Sequence, residues 1–399
     1  MSETLKPRRV PLIIPAVLIS ASAASILSTD LYTPSLPHLP AYFGTDAESA
    51  QLTLSLNLLG FAAAQLVYGP LSDRFGRRPV LLAGMLAFVL TSLGCALASS
   101  IEMLIVTRTL QGIAAATEAV VALAVIRDLY DDEGGVRVLA AFGMTVALAP
   151  AVGPIIGGYI HVWQGWRANF FLLAVVGGVV VALVASFLPE TSVPDRAAMH
   201  PRRLLTDYGT LFRTRRYLVT ALVLGATLGA LFAFITAAPF ILIDRLGVRT
   251  QDFGYYQAAI VVAFFVGSFG ANRGVARLGV DRMVRVGLGL ALLGGLGFPL
   301  VLLVGLETAT AITATMSVYA LGLGFTFAAG PVVALAAAPG GRGVAAAMLG
   351  ALEMGGAALG ALAVTALHDG SSWPPALVVA GFSLIALLVS ELGGDRRSD

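Results

Sequence analysis

The sequence predicts an all-α membrane protein with twelve transmembrane helices in two pseudo-symmetric six-helix bundles. Three observations carry that reading: a composition poor in charge, a one-sided distribution of arginine, and an internal repeat of about 200 residues. Hydrophobic residues make up 57% of the 399 residues and charged residues 12%, with a mean hydropathy of +0.87. A water-soluble domain carries about 25% charged residues. Half that share leaves too little polar surface to face water, which excludes a soluble enzyme, a disordered chain and a nucleic-acid binder. The formal net charge of +2 offers little to a polyanion. A single cysteine, Cys95, excludes a disulfide framework and a cysteine-based metal site. His38, His161, His200 and His368 show no ligand-like spacing, so neither a metal nor a cofactor is expected.

A helix needs about 20 mostly apolar residues to cross the hydrocarbon. Twelve segments meet that requirement: 10–36, 48–71, 79–98, 102–125, 138–160, 168–188, 216–240, 253–272, 283–304, 308–332, 343–367 and 374–393. The first could be mistaken for a signal peptide, because Lys6, Arg8 and Arg9 precede the run Val10 to Ala24. No small-residue cleavage site closes that run, which continues to Asp30, so it is read as a retained span. The first, second and fourth spans are the most polar, as expected of helices lining a wet cavity.

Arginine sets the orientation. Only Arg167, Arg245 and Arg249 fall on one side, and Arg108 lies within a span. The rest of the 25 basic residues fall on the other side, which the positive-inside rule makes cytoplasmic, with both termini. The longest polar stretch, Pro189 to Arg215, separates residues 1–190 from 216–399, with 191–215 as the linker. It reads equally as a solvated loop or as a loop holding a short interfacial helix.

The two halves echo each other. GPLSDRFGRRPVLL (Gly69 to Leu82) and GSFGANRGVARLGVDRMVRVG (Gly267 to Gly287) are glycine-interrupted, arginine-rich turns at equivalent places. Asp73 and Asn272 are separated by about 200 residues, and so are Gly153 of GPIIGG and Gly355 of MGGAALGAL. Duplicated six-helix halves are an architecture of secondary transporters, with the substrate site between the halves near mid-membrane.

GPLSDRFGRRPVLL resembles the signature between helices two and three of the major facilitator superfamily. LIVTRTLQGIAAA (Leu104 to Ala116), with Arg108, Gln111 and Gly112, resembles that family's helix-four motif. APAVGPIIGG (Ala149 to Gly158) resembles the helix-five signature of proton-driven drug antiporters. STDLYTPSLP (Ser28 to Pro37), RDLY (Arg127 to Tyr130) and FGYYQA (Phe253 to Ala258) are similar to the Bcr/CflA multidrug-efflux branch. The second half matches more loosely. The resemblance implies a major facilitator fold in the inner membrane, acting as a monomer. The implied activity is exchange of protons for drug-like small molecules by alternating access.

The resemblance implies a conformational latch built from Gly69, Asp73, Arg74, Gly76, Arg77 and Asp128, holding the outward-open state. Physically, Asp73 can accept hydrogen bonds from a helix N-terminus of the other half. Arg77 can bridge Asp73 and Asp128. The plainer reading is a basic loop that only sets topology. Gly153, Pro154, Gly157 and Gly158 lie inside a span. Glycines four apart form a smooth stripe, and proline favours a bend. They read as a pliant seam that limits proton leak, or as ordinary helix packing.

Ionisable residues inside spans are costly and therefore functional candidates. They are Asp30, Arg108, Glu118 and Glu353. Asp30 lies about 30 Å of helix from the arginine-rich mouth and is read as the proton-carrying carboxylate. Desolvation disfavours the charged form of such a group and a bound cation favours it, so proton and substrate compete. The alternative for Asp30 is a cap or a wet helix end beside Pro34 and Pro37. The resemblance assigns Arg108 to proton coupling, with Gln111 on its face. The alternative is an arginine reaching to outer headgroups. Glu118 reads as a second acid or as an interhelical hydrogen-bond partner. Glu353 reads as a cavity residue or as a packed, permanently protonated acid. Tyr32, Asn57, Gln65, Phe232, Phe234 and Tyr256 are candidate pocket residues.

The reading is therefore drug efflux, with transport of a small endogenous metabolite as the alternative. A non-transporting scaffold finds no soluble domain to support it. An enzyme finds no nucleotide loop and no nucleophile–base pair.

Overall fold

The computed structural model describes residues 11, 13–130, 132–195, 198–339 and 342–393. The topogenic cations Lys6, Arg8, Arg9, Arg196, Arg396 and Arg397 lie outside the described residues, as do the side chains of Arg137, Arg203, Arg277 and Arg342.

The chain runs α1 (Ile13–Asp30), a 3₁₀ turn (Thr33–His38), α2 (Leu39–Phe43), α3 (Ala47–Phe75), α4 (Arg77–Ala96) and α5 (Ile101–Leu129). It continues with α6 (Asp132–Gln164), α7 (Trp166–Phe187), α8 (Pro201–Arg213) and α9 (Arg215–Pro239), which a π-helical turn extends over Phe240–Arg245. Then come α10 (Phe253–Leu278), α11 (Val280–Leu303), α12 (Ala309–Ala337), α13 (Arg342–Ala366) and α14 (Trp373–Gly393). Among the described residues, 12 helical segments are long and apolar enough to cross a membrane.

Local chemistry fixes where these helices begin. Asp46, Ser100 and Thr308 sit just before α3, α5 and α12 with extended backbones. Their side chains accept from the backbone N–H groups of Ser49, Met103 and Ala311 at 2.7, 3.2 and 3.2 Å. Each thereby satisfies one orphan donor of the first turn. One segment differs from the sequence expectation. The first span does not end near residue 36, because the proline-rich stretch coils on and carries it from Ile13 to Phe43. Prolines at the start of a short helical turn forfeit no hydrogen bond. The linker holds a 13-residue helix, α8, one of the two readings its composition left open.

The packing repeats along the chain. α1 packs on α5, α6 and α7, and α9 packs on α12, α13 and α14. α4 lies against α5 and α7, and α11 against α12 and α14. Between these two sets, α3 runs along α13 and α6 along α10. Lipid-side positions carry exposed Leu, Val and Phe, such as Leu90, Val175 and Leu293.

The α3–α4 turn illustrates the local construction. Gly76 has φ +99, which L-residues avoid, and a side chain there would run into Glu190. Glu190 accepts from the backbone N–H of Arg77 at 2.8 Å and of Arg78 at 3.3 Å, capping α4 from the end of α7. Partial burial works against its charge. The backbone donors of Ser192, Arg77, Thr191 and Arg78 outweigh that cost and hold its carboxyl below the usual carboxylate range. A depressed carboxylate stabilises the fold above its unfolded pKa of about 4.3, and that contribution disappears as pH falls through the folded value. Glu190→Gln should therefore lower the melting temperature at neutral pH, with the gap to wild type closing below about pH 4. Thermal melts across that range check it.

Candidate functional site

Three charged side chains are fully buried among the described residues: Asp30, Arg108 and Glu118. All three belong to the first six spans. Among the described residues of the last six spans, the fully buried polar side chains are neutral, such as Thr227, Thr236, Gln257 and Thr326.

Arg108 is the best-held of the three. It is 0% exposed, so it does not reach toward the headgroups. Its Nη1 donates to the Ser28 carbonyl at 2.9 Å and to Gln111 Oε1 at 2.5 Å. Its guanidinium carbon lies 4.2 Å from the centre of the Tyr32 ring and 5.8 Å from that of Phe170. Such stacking satisfies a cation without a second charge. The partners are themselves fixed. Gln111 Nε2 donates to Ser92 Oγ at 2.7 Å. The Tyr32 and Thr53 hydroxyls share a hydrogen bond of 2.8 Å. Asn57 Nδ2 donates to the Arg108 carbonyl at 2.7 Å, so Asn57 locks α3 to α5 rather than facing a pocket. Two of the Arg108 nitrogens, Nε and Nη2, have no hydrogen-bond partner.

Asp30 is the last residue of α1 and is 6% exposed, neither a cap nor a wet helix end. It lies near enough to Arg108 to feel its charge. Among the described residues, no ion pair within 4.0 Å joins the two, and no hydrogen bond to the Asp30 carboxylate is found. A buried carboxylate and a guanidinium with two unpartnered nitrogens thus share one neighbourhood without neutralising each other by direct contact. That arrangement can take up a proton, a cation or a polar group of a guest.

Gly153 and Gly157 of α6 form the wall behind Asp30. A side chain on Gly153 would come to 3.0 Å from the Asp30 Cβ. One on Gly157 would collide with the Leu31 carbonyl, so only glycine lets α6 lie this close to α1. Gly158 faces the opposite way, against Thr250 and Gln251 ahead of α10. Pro154 is buried between them.

Glu118 accepts a hydrogen bond from Ser22 Oγ, tying α5 to α1 two turns before Asp30. Glu353 is half-buried on α13 without a side-chain hydrogen bond among the described residues. Gln65 is buried with its Oε1 unpartnered, against Gly350 of α13. Phe234 is core, edge-on to Phe298 at 6.1 Å. Phe232 and Tyr256 are half-buried.

At the arginine-rich end, Arg77 joins three partners: Asp73 at 2.5 Å, Asp128 at 3.2 Å and Ser72 Oγ at 2.6 Å. Asp73 remains 45% exposed and shares a cleft with Val344 of α13. Among the described residues, no helix N-terminus of the last six spans donates to it. Arg74 lies over the Phe75 ring at 5.2 Å, away from that cluster. Gly69 lies near Ala347.

The opposite end is tied across the two sets of spans. His38 Nε2 meets the Thr250 hydroxyl at 3.0 Å, Gln51 Nε2 meets His368 Nδ1 at 3.2 Å, and the Ser55 and Thr365 hydroxyls lie 3.1 Å apart. The His38 and His161 rings stack at 4.3 Å. Sequence reasoning missed this pair, as well as Ser92, Phe170 and Glu190. Their partners lie on other helices, at separations that no local motif encodes.

Comparison with known proteins identifies the class: the chain belongs to the Major Facilitator Superfamily, whose profile matches residues 18–361. It is 32% identical over 379 residues to a chloramphenicol resistance protein of Pseudomonas aeruginosa, covering 93% of this chain and 88% of that one. A bicyclomycin resistance protein homolog of Haemophilus influenzae is 31% identical over 67% of each chain. The multidrug transporter MdfA of Yersinia pestis is 30% identical, over 87% of this chain and 85% of its own. In fold, the chain is similar to a bacterial homolog of the human lysosomal transporter Spinster, solved inward-facing and unoccupied. The TM-score is 0.71 at 15% identity over 96% of both chains. The protein is a multi-pass inner-membrane transporter, not an enzyme.

Lysine at position 108 would keep the charge but lose the planar fork that engages Ser28, Gln111 and the Tyr32 ring together. Arg108→Lys should cut the transport rate by at least about tenfold while the protein still inserts. Flux in proteoliposomes, beside a membrane-fraction blot, measures both.

Proposed function

We propose that this transporter expels drug-like small molecules in exchange for protons, with Asp30 as the group for which proton and substrate compete. The observation that carries the reading is the buried Asp30 carboxylate, without a hydrogen bond among the described residues, beside a half-satisfied Arg108 and the wall of Gly153 and Gly157. Relatives named for chloramphenicol resistance, bicyclomycin resistance and multidrug transport support it. Among the described residues of the last six spans no charged side chain is fully buried, which suits lipophilic cargo held by shape more than by fixed polar contacts. Arg108 offsets the charge of Asp30, so neutral and cationic molecules both fit.

The mechanism follows from the two ends. Residues 1–190 and 216–399 act as two rocking bodies, joined by the linker 191–215, with both termini in the cytoplasm. Contacts at the His38 end hold the periplasmic side shut. Among the described residues no hydrogen bond from α13 reaches the Asp73 carboxylate, which suits a form not open to the outside. When the bodies rock, the α13 N-terminus closes on Asp73, and Arg77 keeps that carboxylate aimed by bridging it to Asp128. Opening to the periplasm lets a proton reach Asp30 and release the cargo. Return to the cytoplasmic side gives the proton up and admits the next molecule.

Asp30→Asn should abolish export driven by a pH gradient, a loss of at least about tenfold, at unchanged membrane abundance. Dye efflux from proteoliposomes reads this, and a variant that keeps its dependence on the gradient overturns the assignment. Asp73→Asn should slow turnover by about tenfold while leaving substrate affinity within about twofold. Binding and flux measured on one preparation separate the two, and weakened affinity with normal turnover contradicts the latch. If cells instead accumulate a metabolite through the protein, the direction of transport is wrong.

A further inference from the structure

The linker helix α8 carries a surface that the transport cycle does not use. Leu205, Gly209 and Phe212 recur at i, i+4 and i+7, which aligns them on one stripe. Leu205 is 75% and Phe212 54% exposed. The stripe points away from the protein, because α8 is held by its other side. Leu211 is buried, and the Tyr208 hydroxyl donates to the Leu66 carbonyl of α3 at 2.7 Å. Arg202 and Arg213 both flank the stripe on the same side, about 60–80° from Leu205 by the helical period. Both are exposed, and neither side chain has an ion pair or hydrogen bond among the described residues. Arg215 and Arg216, exposed at the start of α9, extend the basic edge. Asp207 lies on the opposite side, facing the cleft that holds Asp73.

We propose that α8 is a docking surface for anionic phospholipids of the leaflet at the arginine-rich end. Leu205 and Phe212 enter the acyl boundary while Arg202 and Arg213 engage the headgroup phosphates. Two observations on the helix converge on this occupant. The apolar stripe is too exposed to face water unprotected, and it is bordered by cations without partners among the described residues. The helix lies between the ends of two spans, α7 at Phe187 and α9 at Arg215, and so at the level of the headgroups. A protein partner or a free anion would need only one of the two features. Because α8 also grips α3 and packs on α9 and α13, lipid held there bears on helices from both halves.

Gly209 offers the probe position, because a side chain there meets nothing within 4 Å and the sole native cysteine, Cys95, is buried. Gly209→Cys, labelled with an environment-sensitive dye, is reconstituted in phosphatidylcholine vesicles with or without added phosphatidylglycerol. The expected result is brighter, blue-shifted emission with phosphatidylglycerol. That response should be lost when Arg202→Gln and Arg213→Gln are added, and kept with Arg202→Lys and Arg213→Lys. Native mass spectrometry of the full chain should show phosphatidylglycerol retained over phosphatidylcholine, with retention falling about fivefold for each arginine removed. Should the double variant fail to fold, each single glutamine variant should show half the response. Equal emission in both vesicle types overturns the proposal, as does a glutamine variant that responds like its parent. Neither readout involves transport, so the outcome is independent of the efflux reading.

Discussion

A guanidinium with no exposure in the middle of a helix bundle is the constraint around which the first six spans are organised. Burying that charge is costly unless its surroundings compensate it. Here compensation comes from dispersed groups rather than from one carboxylate: the Ser28 carbonyl, Gln111, and the faces of Tyr32 and Phe170. Gln111 is pinned in turn by Ser92 and Tyr32 by Thr53, while Asn57 holds the backbone carbonyl of Arg108 itself. The network therefore draws in α1, α3, α4, α5 and α7, and it holds the arginine in place whether or not Asp30 carries a proton. A direct Arg108–Asp30 bridge would have frozen the acid in its ionised form. On the proposed reading, keeping the two near but unbonded leaves Asp30 able to change state.

The same economy shapes the α1–α6 contact. An acid at a helix end attracts water unless another element covers it. α6 can cover Asp30 only by coming very close, and Gly153 and Gly157 remove the atoms that would prevent this. Gly158 then does the same for the neighbouring Thr250 segment. The glycine stripe is thus a seal over the acid as well as a seam between helices, and a methyl group on either face would open one of them.

Much of this was legible in the sequence, for physical reasons. Span number came from the length that hydrocarbon demands, and the candidate acids came from the cost of charge in a bilayer. The linker composition allowed α8 without requiring it. What stayed hidden depends on which helix lies beside which. Nothing near Arg108 in the chain announces Phe170 or Ser92. Asn57 looked like a pocket residue because an asparagine in a span is conspicuous, and only the fold shows that it serves a backbone carbonyl. The first span runs on past residue 36 to Phe43 because prolines at the start of a helical turn forfeit nothing.

Every fully buried charge among the described residues sits in the first six spans, opposite a wall of alanine, glycine, threonine and aromatic side chains. On the proposed reading, the two tasks are therefore inherited on separate stretches of chain. Point changes in the uncharged wall reshape what fits without touching the machinery that couples to the gradient. Such a protein can acquire a new compound by single substitutions, each tolerated on its own, while its energy source stays intact.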